Sequence, residues 1–356
     1  MYQHLLVPID GTPLASLTVE DAVEFARSAN ARITFLHVQA DYAATGEGSL
    51  LRAMAPAAFA TAARGSSNAW LARAAAAAAA AHVACNTVAA VSDHPHQLIH
   101  DTASTHQCDL IYMASHGKQT GRGLFAASVS VSLLELATVP VLIARVESNL
   151  PLSPEQRALT VIRDEHRSLA AVIHALQAAL AQHSEGQGAD LQLLQAGLFY
   201  LEQFPQRVHH PREEQTLFKL LRQRAAQCNE VIDVLEQQHR TGTATFHALR
   251  QALADLVADA PQARASFVRT LQAYADHEWS HMAMEEKQVF PLASQYLQAS
   301  DWVDVATAFE AHTDPFLGTE TEQGFSQVFK RLMDLRVSLV PEEKFDHHHN
   351  SGENKS

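Results

Sequence analysis

Tyr274–Pro291 reads YADHEWSHMAMEEKQVFP. His281 and Glu285 stand four residues apart in a stretch whose other residues favour helix. Side chains at i and i+4 leave the same face of a helix, one turn apart. A neutral imidazole and a carboxylate stacked in this way can reach one metal ion or two adjacent ones. The pattern occurs twice. Phe204–Leu220 reads FPQRVHHPREEQTLFKL, with His209 and Glu213 at the same spacing, and Phe218 and Phe290 each follow their glutamate by five residues. One His-x3-Glu turn is commonplace on a solvated helix face. Two that share a trailing aromatic are hard to obtain by chance.

Outward from these turns, residues 155–340 read as helix. The expected segments are Pro154–His183, Asp190–Arg224 (broken or kinked near Pro205 and Pro211), Cys228–Val257 and Pro261–Ala299, with shorter helices at Asp301–Ala311 and Thr319–Leu339. Four long helices with short connections predict an antiparallel bundle. The first and third supply histidines of their own. His166 sits among Ile162, Leu169 and Ile173, and His239 among Val231, Leu235 and Phe246, so each falls on or beside the apolar face. A lone core histidine is usually just hydrogen-bonded. One per helix, with two paired to glutamates, points instead to a buried cation, because an unpaired buried carboxylate is very costly. His210 with Glu214 is a competing pair one residue on, and His277 lies one turn before His281; both stay open as ligands at this level.

The first 146 residues follow a different rhythm. Short apolar, β-branched runs at His4–Ile9, Ile33–Val38, Thr87–Val91, Leu110–Ala114 and Val139–Ala144 alternate with helical patterns at Leu14–Ala29, Asn68–Ala84, Pro95–Gln107 and Ala126–Ala137. Strand–helix alternation predicts a five-stranded parallel sheet of the doubly wound α/β class, covered on both faces. Asp41–Ser67, with three glycines and a proline, reads as an insertion leading into an alanine-rich helix. Residues 147–154, with two prolines, read as a linker, and Ser153-Pro154 as a helix start. The polar end, residues 341–356, reads as a disordered tail.

Composition narrows the partners. The formal net charge of -13 and the lack of a basic stripe argue against nucleic acid. No long apolar run predicts a membrane span, the start lacks a basic leader, and the expected compartment is the cytoplasm. Three scattered cysteines, Cys85, Cys108 and Cys228, are expected to be buried free thiols.

Two resemblances now become nameable. VPIDGT near the start, LHV ending the second strand, ASHG and PVLI together resemble the universal stress protein family over residues 1–146. That resemblance implies a flavodoxin-like sheet, a homodimer through the last strand, and often ATP at the carboxyl ends of the strands. The family's Gly-x2-Gly-x9-Gly-Ser/Thr loop is present in spacing as Ala114, Gly117, Ala127 and Ser128, with alanine at two of the three glycine positions. It implies Asp10, Val38, Gly117, Ser128 and Val129 as nucleotide contacts; a scaffold without nucleotide is the alternative, since a methyl crowds a backbone meant to approach phosphate. The composite EH…HHPREEQTLF…EQQHR…HMAMEEKQVFP resembles the hemerythrin-like, or HHE cation-binding, family over residues 155–300. It implies two bridged non-haem iron ions, with His166, His209, His239 and His281 as terminal ligands and Glu213 and Glu285 as bridges. Oxygen-carrying members typically have a second histidine on the third helix, where this chain has Thr243, and an aspartate in place of Glu285. The implied function is a stress-response protein that binds or senses O2, NO or redox state. The alternatives are a di-iron enzyme (peroxidase, NO-consuming or iron-donating) and an ATP-dependent switch with a structural metal site.

Overall fold

His4–Ile9 forms β1 because its leucines and valine fill both faces of a central strand; Leu5, Leu6 and Val7 are fully buried. The structure, a computed structural model, describes residues 2–39, 56–92, 94–115, 129–146, 152–182 and 190–311. β1 is followed by α1 (Pro13–Ala29), β2 (Arg32–Gln39), α2 (Pro56–Ala80), β3 (Cys85–Val91), α3 (Pro95–Thr105), β4 (Leu110–Ser115), α4 (Val129–Leu136) and β5 (Val141–Val146). The strands make one parallel sheet in the order β3-β2-β1-β4-β5, so β5 is an edge. Thr12 caps α1 by accepting from the Ala15 N–H, and Asn30 closes it in the left-handed region.

Several expected boundaries move, among them the start of β3, which is Cys85 rather than Thr87. β5 begins at Val141 rather than Val139, because Pro140 has no N–H to give the ladder. α2 begins at Pro56, well inside the stretch read as an insertion, and ends at Ala80. Its alanines serve two neighbours. Leu71, Ala74 and Ala78 pack into the sheet core, while Ala69, Ala72 and Ala76 pack against Leu169, Val172, Ile173 and Leu176 of the first bundle helix. A helix apolar all round is a helix buried on both sides.

The bundle has four long helical runs. The first is Pro154–Gln182. The second runs unbroken through Leu191–Leu201, Glu202–His209, His210–Glu213, Glu214–Phe218 and Lys219–Arg224, alternating α and π winding. The third is Asn229–Val257, and the fourth is Ala263–Met284 continued by a π turn, Glu285–Val289, and Phe290–Tyr296. The prolines thus widen the second helix rather than break it. The Pro205 carbonyl accepts from the His210 N–H five residues on, and the Glu285 carbonyl accepts likewise from Phe290, just before Pro291. A separate helix, Ala299–Glu310, starts with a capping box between Gln298 and Asp301 and buries Trp302, Val305 and Phe309 against the bundle. Residues 319–339, the linker positions 147–151 and the tail lie outside the described residues. Among the described residues the cysteines are free, and no helix is long and apolar enough to cross a membrane.

Candidate metal centre

The π turns fall where the motif residues sit. One ends at His209, the next begins at Glu214, and the third begins at Glu285. Wider winding lets adjacent residues share a face more closely than the roughly 100° step of an α-helix allows. Both His209 and His210 are therefore buried, one turn before Glu213.

The structure brings all six expected side chains together, each no more than 6% exposed. His209 Nε2 is 3.3 Å from Glu213, and His281 Nε2 is 3.5 Å from Glu285, the two i, i+4 pairs of the sequence. Across helices, His166 Nε2 lies 3.1 Å from Glu285 and 3.9 Å from Glu213. His239 Nε2 lies 3.6 Å from Glu213 and 3.2 Å from His281 Nε2. These six fall into two overlapping sets, His166–His209–Glu213–Glu285 and Glu213–His239–His281–Glu285, and His210 makes a third with His239 and His281, each set with ligand atoms within 4.8 Å of one another. The two glutamates belong to both of the first two sets.

Each of the four imidazoles turns Nε2 inward because something holds its Nδ1. Glu286 accepts from His166 (2.9 Å), Glu165 from His209 (2.7 Å), Glu214 from His239 (2.7 Å) and the Gln238 amide oxygen from His281 (3.2 Å). Arg212 donates to the second oxygen of Glu165 at 3.2 Å. Such partners fix tautomer and ring orientation and make the imidazole a better donor. Only Glu214 stands out in the sequence, and there as a candidate ligand paired with His210 rather than as the partner of His239. The signal for all four was adjacency: Glu165 precedes His166, Gln238 precedes His239, and Glu214 and Glu286 follow the two motif glutamates.

The electrostatics are those of an unfinished cluster. Burial alone would lower each imidazole. At His166 the Glu213, Glu285 and Glu286 carboxylates reverse this and raise it well above its usual value; Glu213 and Glu165 raise His209, and Glu213, Glu285 and Glu214 bring His239 to about 9. His210 and His281 stay well below, from burial and their imidazole neighbours. Burial pushes Glu213 up, but His209, His166 and His239 hold it well below the carboxylate range, whereas burial and the charge of Glu213 lift Glu285 to about 6. Both oxygens of Glu213, both of Glu285 and His166 Nε2 are buried without hydrogen-bond partners. Two glutamates with unmatched oxygens in a dry interior are a donor set fitted to cations.

One further acid lies close by. Glu278, fully buried one turn before His281, is pushed up to about 7 by burial, and the Tyr274 hydroxyl beside it is raised well above its usual value. The sequence pattern does not single out Glu278. His277 is outside the ligand sets; its Nε2 donates to the Gln238 carbonyl at 2.9 Å.

The expected nucleotide residues are less assembled. Asp10 is exposed and accepts from the Thr12 N–H and hydroxyl at 3.1 and 2.7 Å. Val38 is half-buried near the end of β2, and Val129 opens α4. Gly117 and Ser128 lie outside the described residues. Gly11, at φ 77°, is required where it stands, since a Cβ there would meet the Trp70 indole at 2.5 Å.

A parallel α/β unit joined to a helical bundle lined with histidine and glutamate defines a two-part chain with a cation-binding half. Comparison with known proteins gives both halves a family. Residues 1–145 match the Universal stress protein family and residues 157–293 match the Hemerythrin HHE cation binding domain, so the chain carries one domain of each kind. Similar solved structures include the universal stress protein UspA from Lactobacillus plantarum (24% identity, TM-score 0.32, covering 40% of this chain and 97% of that one). Another is a universal stress protein family member from Burkholderia pseudomallei (26%, TM-score 0.31, 40% and 95%). Uncharacterized proteins of Mycobacterium tuberculosis and Mycobacterium bovis are 30% identical over 140 residues, 39% of this chain and 53% of theirs. The chain thus spans about half the length of the curated relatives it matches.

Proposed function

We propose that the bundle holds two non-haem iron ions, with Glu213 and Glu285 shared between them and His166, His209, His239 and His281 as terminal donors. The observation that carries this is the set of four buried, unpartnered carboxylate oxygens facing four Nε2 atoms whose Nδ1 sides are already held. Bound iron would supply reversible oxidation and coordination positions for a small ligand such as O2, NO or peroxide. The chain's own residues orient the imidazoles, exclude bulk water and, at Glu278, hold a proton close to neutral pH. On this reading the protein is a cytoplasmic stress-response protein that binds or senses O2, NO or redox state.

Contact between the halves supports a sensing role. Asp164 and Arg167, which flank Glu165 and His166 on the first bundle helix, face the α/β domain. Asp164 accepts from the Ser16 hydroxyl at 3.1 Å, Arg167 donates to Glu20 at 2.6 Å, and Arg73 donates to Ser168 at 2.8 Å. A shift of His166 would reach α1 and α2 through packed side chains and need not travel through the linker. The edge strand β5 and the exposed apolar residues Val131, Leu134 and Leu136 of α4 support a homodimer formed by the first domain. ATP at Asp10 has less support, given Ala114 and Ala127.

Metal content and the optical spectrum of protein purified without oxygen, then exposed to air, test the centre. Two irons per chain and an oxygen-dependent charge-transfer band are expected. Mononuclear iron in Mössbauer spectra would end this reading. The enzymatic alternative draws on Glu278 as a proton source: peroxide or NO turnover lost in Glu278→Gln, with iron retained, would select it.

A further inference from the structure

His210 is a histidine whose role the motif leaves open. It is 5% exposed, and its Nε2 is buried with no hydrogen-bond partner. Its ring stacks on His239 with centroids 4.3 Å apart and planes at 13°, and meets His281 edge-on at 5.2 Å. One ring nitrogen from each of His210, His239 and His281 lies within 4.8 Å of the other two. A histidine that only filled space could be apolar, and a histidine that only hydrogen-bonded would have its Nε2 matched. A buried imidazole nitrogen left open next to two others has the chemistry of a ligand.

We propose that His210 binds metal as a third imidazole, through Nε2, to the ion shared by His239 and His281. The inference rests on the two-ion reading above and deepens it. The two sites become unequal. One has His166 and His209 with the two glutamates; the other has His239 and His281 with the same glutamates, and His210 forms a further set with those two imidazoles. The winding of the second helix makes this possible, since His209 and His210 are adjacent yet both buried one turn before Glu213, each joining a different donor set.

Anaerobic titration of ferrous iron into the full chain tests it, using wild type, His210→Phe and His239→Ala. Phenylalanine keeps an aromatic ring over His239 and removes the nitrogen. Wild type is expected to take up two irons. His210→Phe should keep one at wild-type affinity and bind the second at least about tenfold more weakly, the lower end of what losing even an outer-shell partner costs. Its Mössbauer spectrum should change in one doublet only. Two irons at wild-type affinity with unchanged doublets in His210→Phe would overturn the proposal; if His239→Ala still loses the second iron, the two-ion reading survives that result. Fewer than two irons in wild type would overturn both. Should His210→Phe not fold, cadmium NMR of the wild-type chain with nitrogen-labelled histidine decides. Coupling to three imidazoles at one cadmium and two at the other supports His210, and two at each removes it.

Discussion

The two halves of this chain bury polar groups in opposite ways. In the sheet domain the buried polar side chains are scattered singly among apolar neighbours, as where His4 Nε2 meets the Thr34 hydroxyl at 2.8 Å amid Leu5, Ile33 and Phe35, and its unmatched nitrogens, Nδ1 of His4 and of His37, do not converge on a shared site. In the bundle, Glu165, His166, His209, His210, Glu213, His239, Glu278, His281 and Glu285 share one interior, and many of their inward atoms have no partner. A core of the first kind is complete when the chain folds. A core of the second kind is completed by something the chain does not encode, and its stability should depend on what is bound.

The largest expected effect follows from that contrast. Removing metal with a chelator should lower hydrogen-exchange protection along residues 202–218 and 274–289, which carry most of the donors, and leave β1 and β2 unchanged. Each ion at a hundredfold excess over its Kd contributes about 2.7 kcal/mol to the folded state. Equal loss in both halves would break the distinction.

Next is Glu278. Its carboxyl is raised from 4.5 to about 7 in the fold, so the neutral acid is the favoured form. The stability it contributes is complete below 4.5 and is lost as pH rises through about 7. Urea unfolding of metal-free protein at pH 5 and pH 8 should show a decline of up to about 3 kcal/mol from this group, at 1.36 kcal/mol per unit, that Glu278→Gln removes, leaving the smaller decline of the same sign from Glu285. A slope unchanged in the variant would place the cost elsewhere.

How much of this was legible differs between the halves for a physical reason. Strands such as His4–Ile9 are written in local composition, and the His-x3-Glu spacing is written in helix geometry, so both could be read directly. α2 was cut short because residues 56–67 look like a loop until the bundle is there to bury their neighbours. The four Nδ1 pairings were missed because Glu165, Gln238, Glu214 and Glu286 act across helices, and only packing reveals which imidazole each one meets. His210 stays undecided in the sequence because the trailing Phe218 favours His209 as the motif histidine, and the π winding that buries both is a property of the assembled helix around Pro205 and Pro211.

The contact between the halves can be sharpened by Ala72→Leu. Ala72 is 3% exposed where α2 meets the first bundle helix, and added methylenes there have no room. A cost of about 1–3 kcal/mol is expected, with iron stoichiometry intact. If the substitution instead alters the optical spectrum of the iron-loaded protein, the interface and the centre are coupled through Leu169 and its neighbours, as the sensing role requires.

The smallest expected dependence on metal belongs to the sheet core. His4 is lowered to about 4, by burial first and by Arg32 next, so the fold favours its neutral form. Its contribution is present above 6.5 and is lost as pH falls through about 4. This is the reverse of Glu278, and it comes from the same cause acting on a group of opposite charge type: burial penalises the charged imidazolium as it penalises the carboxylate. Metal at the centre does not relieve it, because His4 lies in the sheet and belongs to none of the donor sets among the described residues. Acid sensitivity of exchange in β1 and β2 should therefore be identical in metal-loaded and metal-free protein, while that of the bundle differs between them. A metal-dependent shift in the β1 profile would mean that the α/β core registers occupancy of the centre, and the separation of the two interiors would then have to be given up.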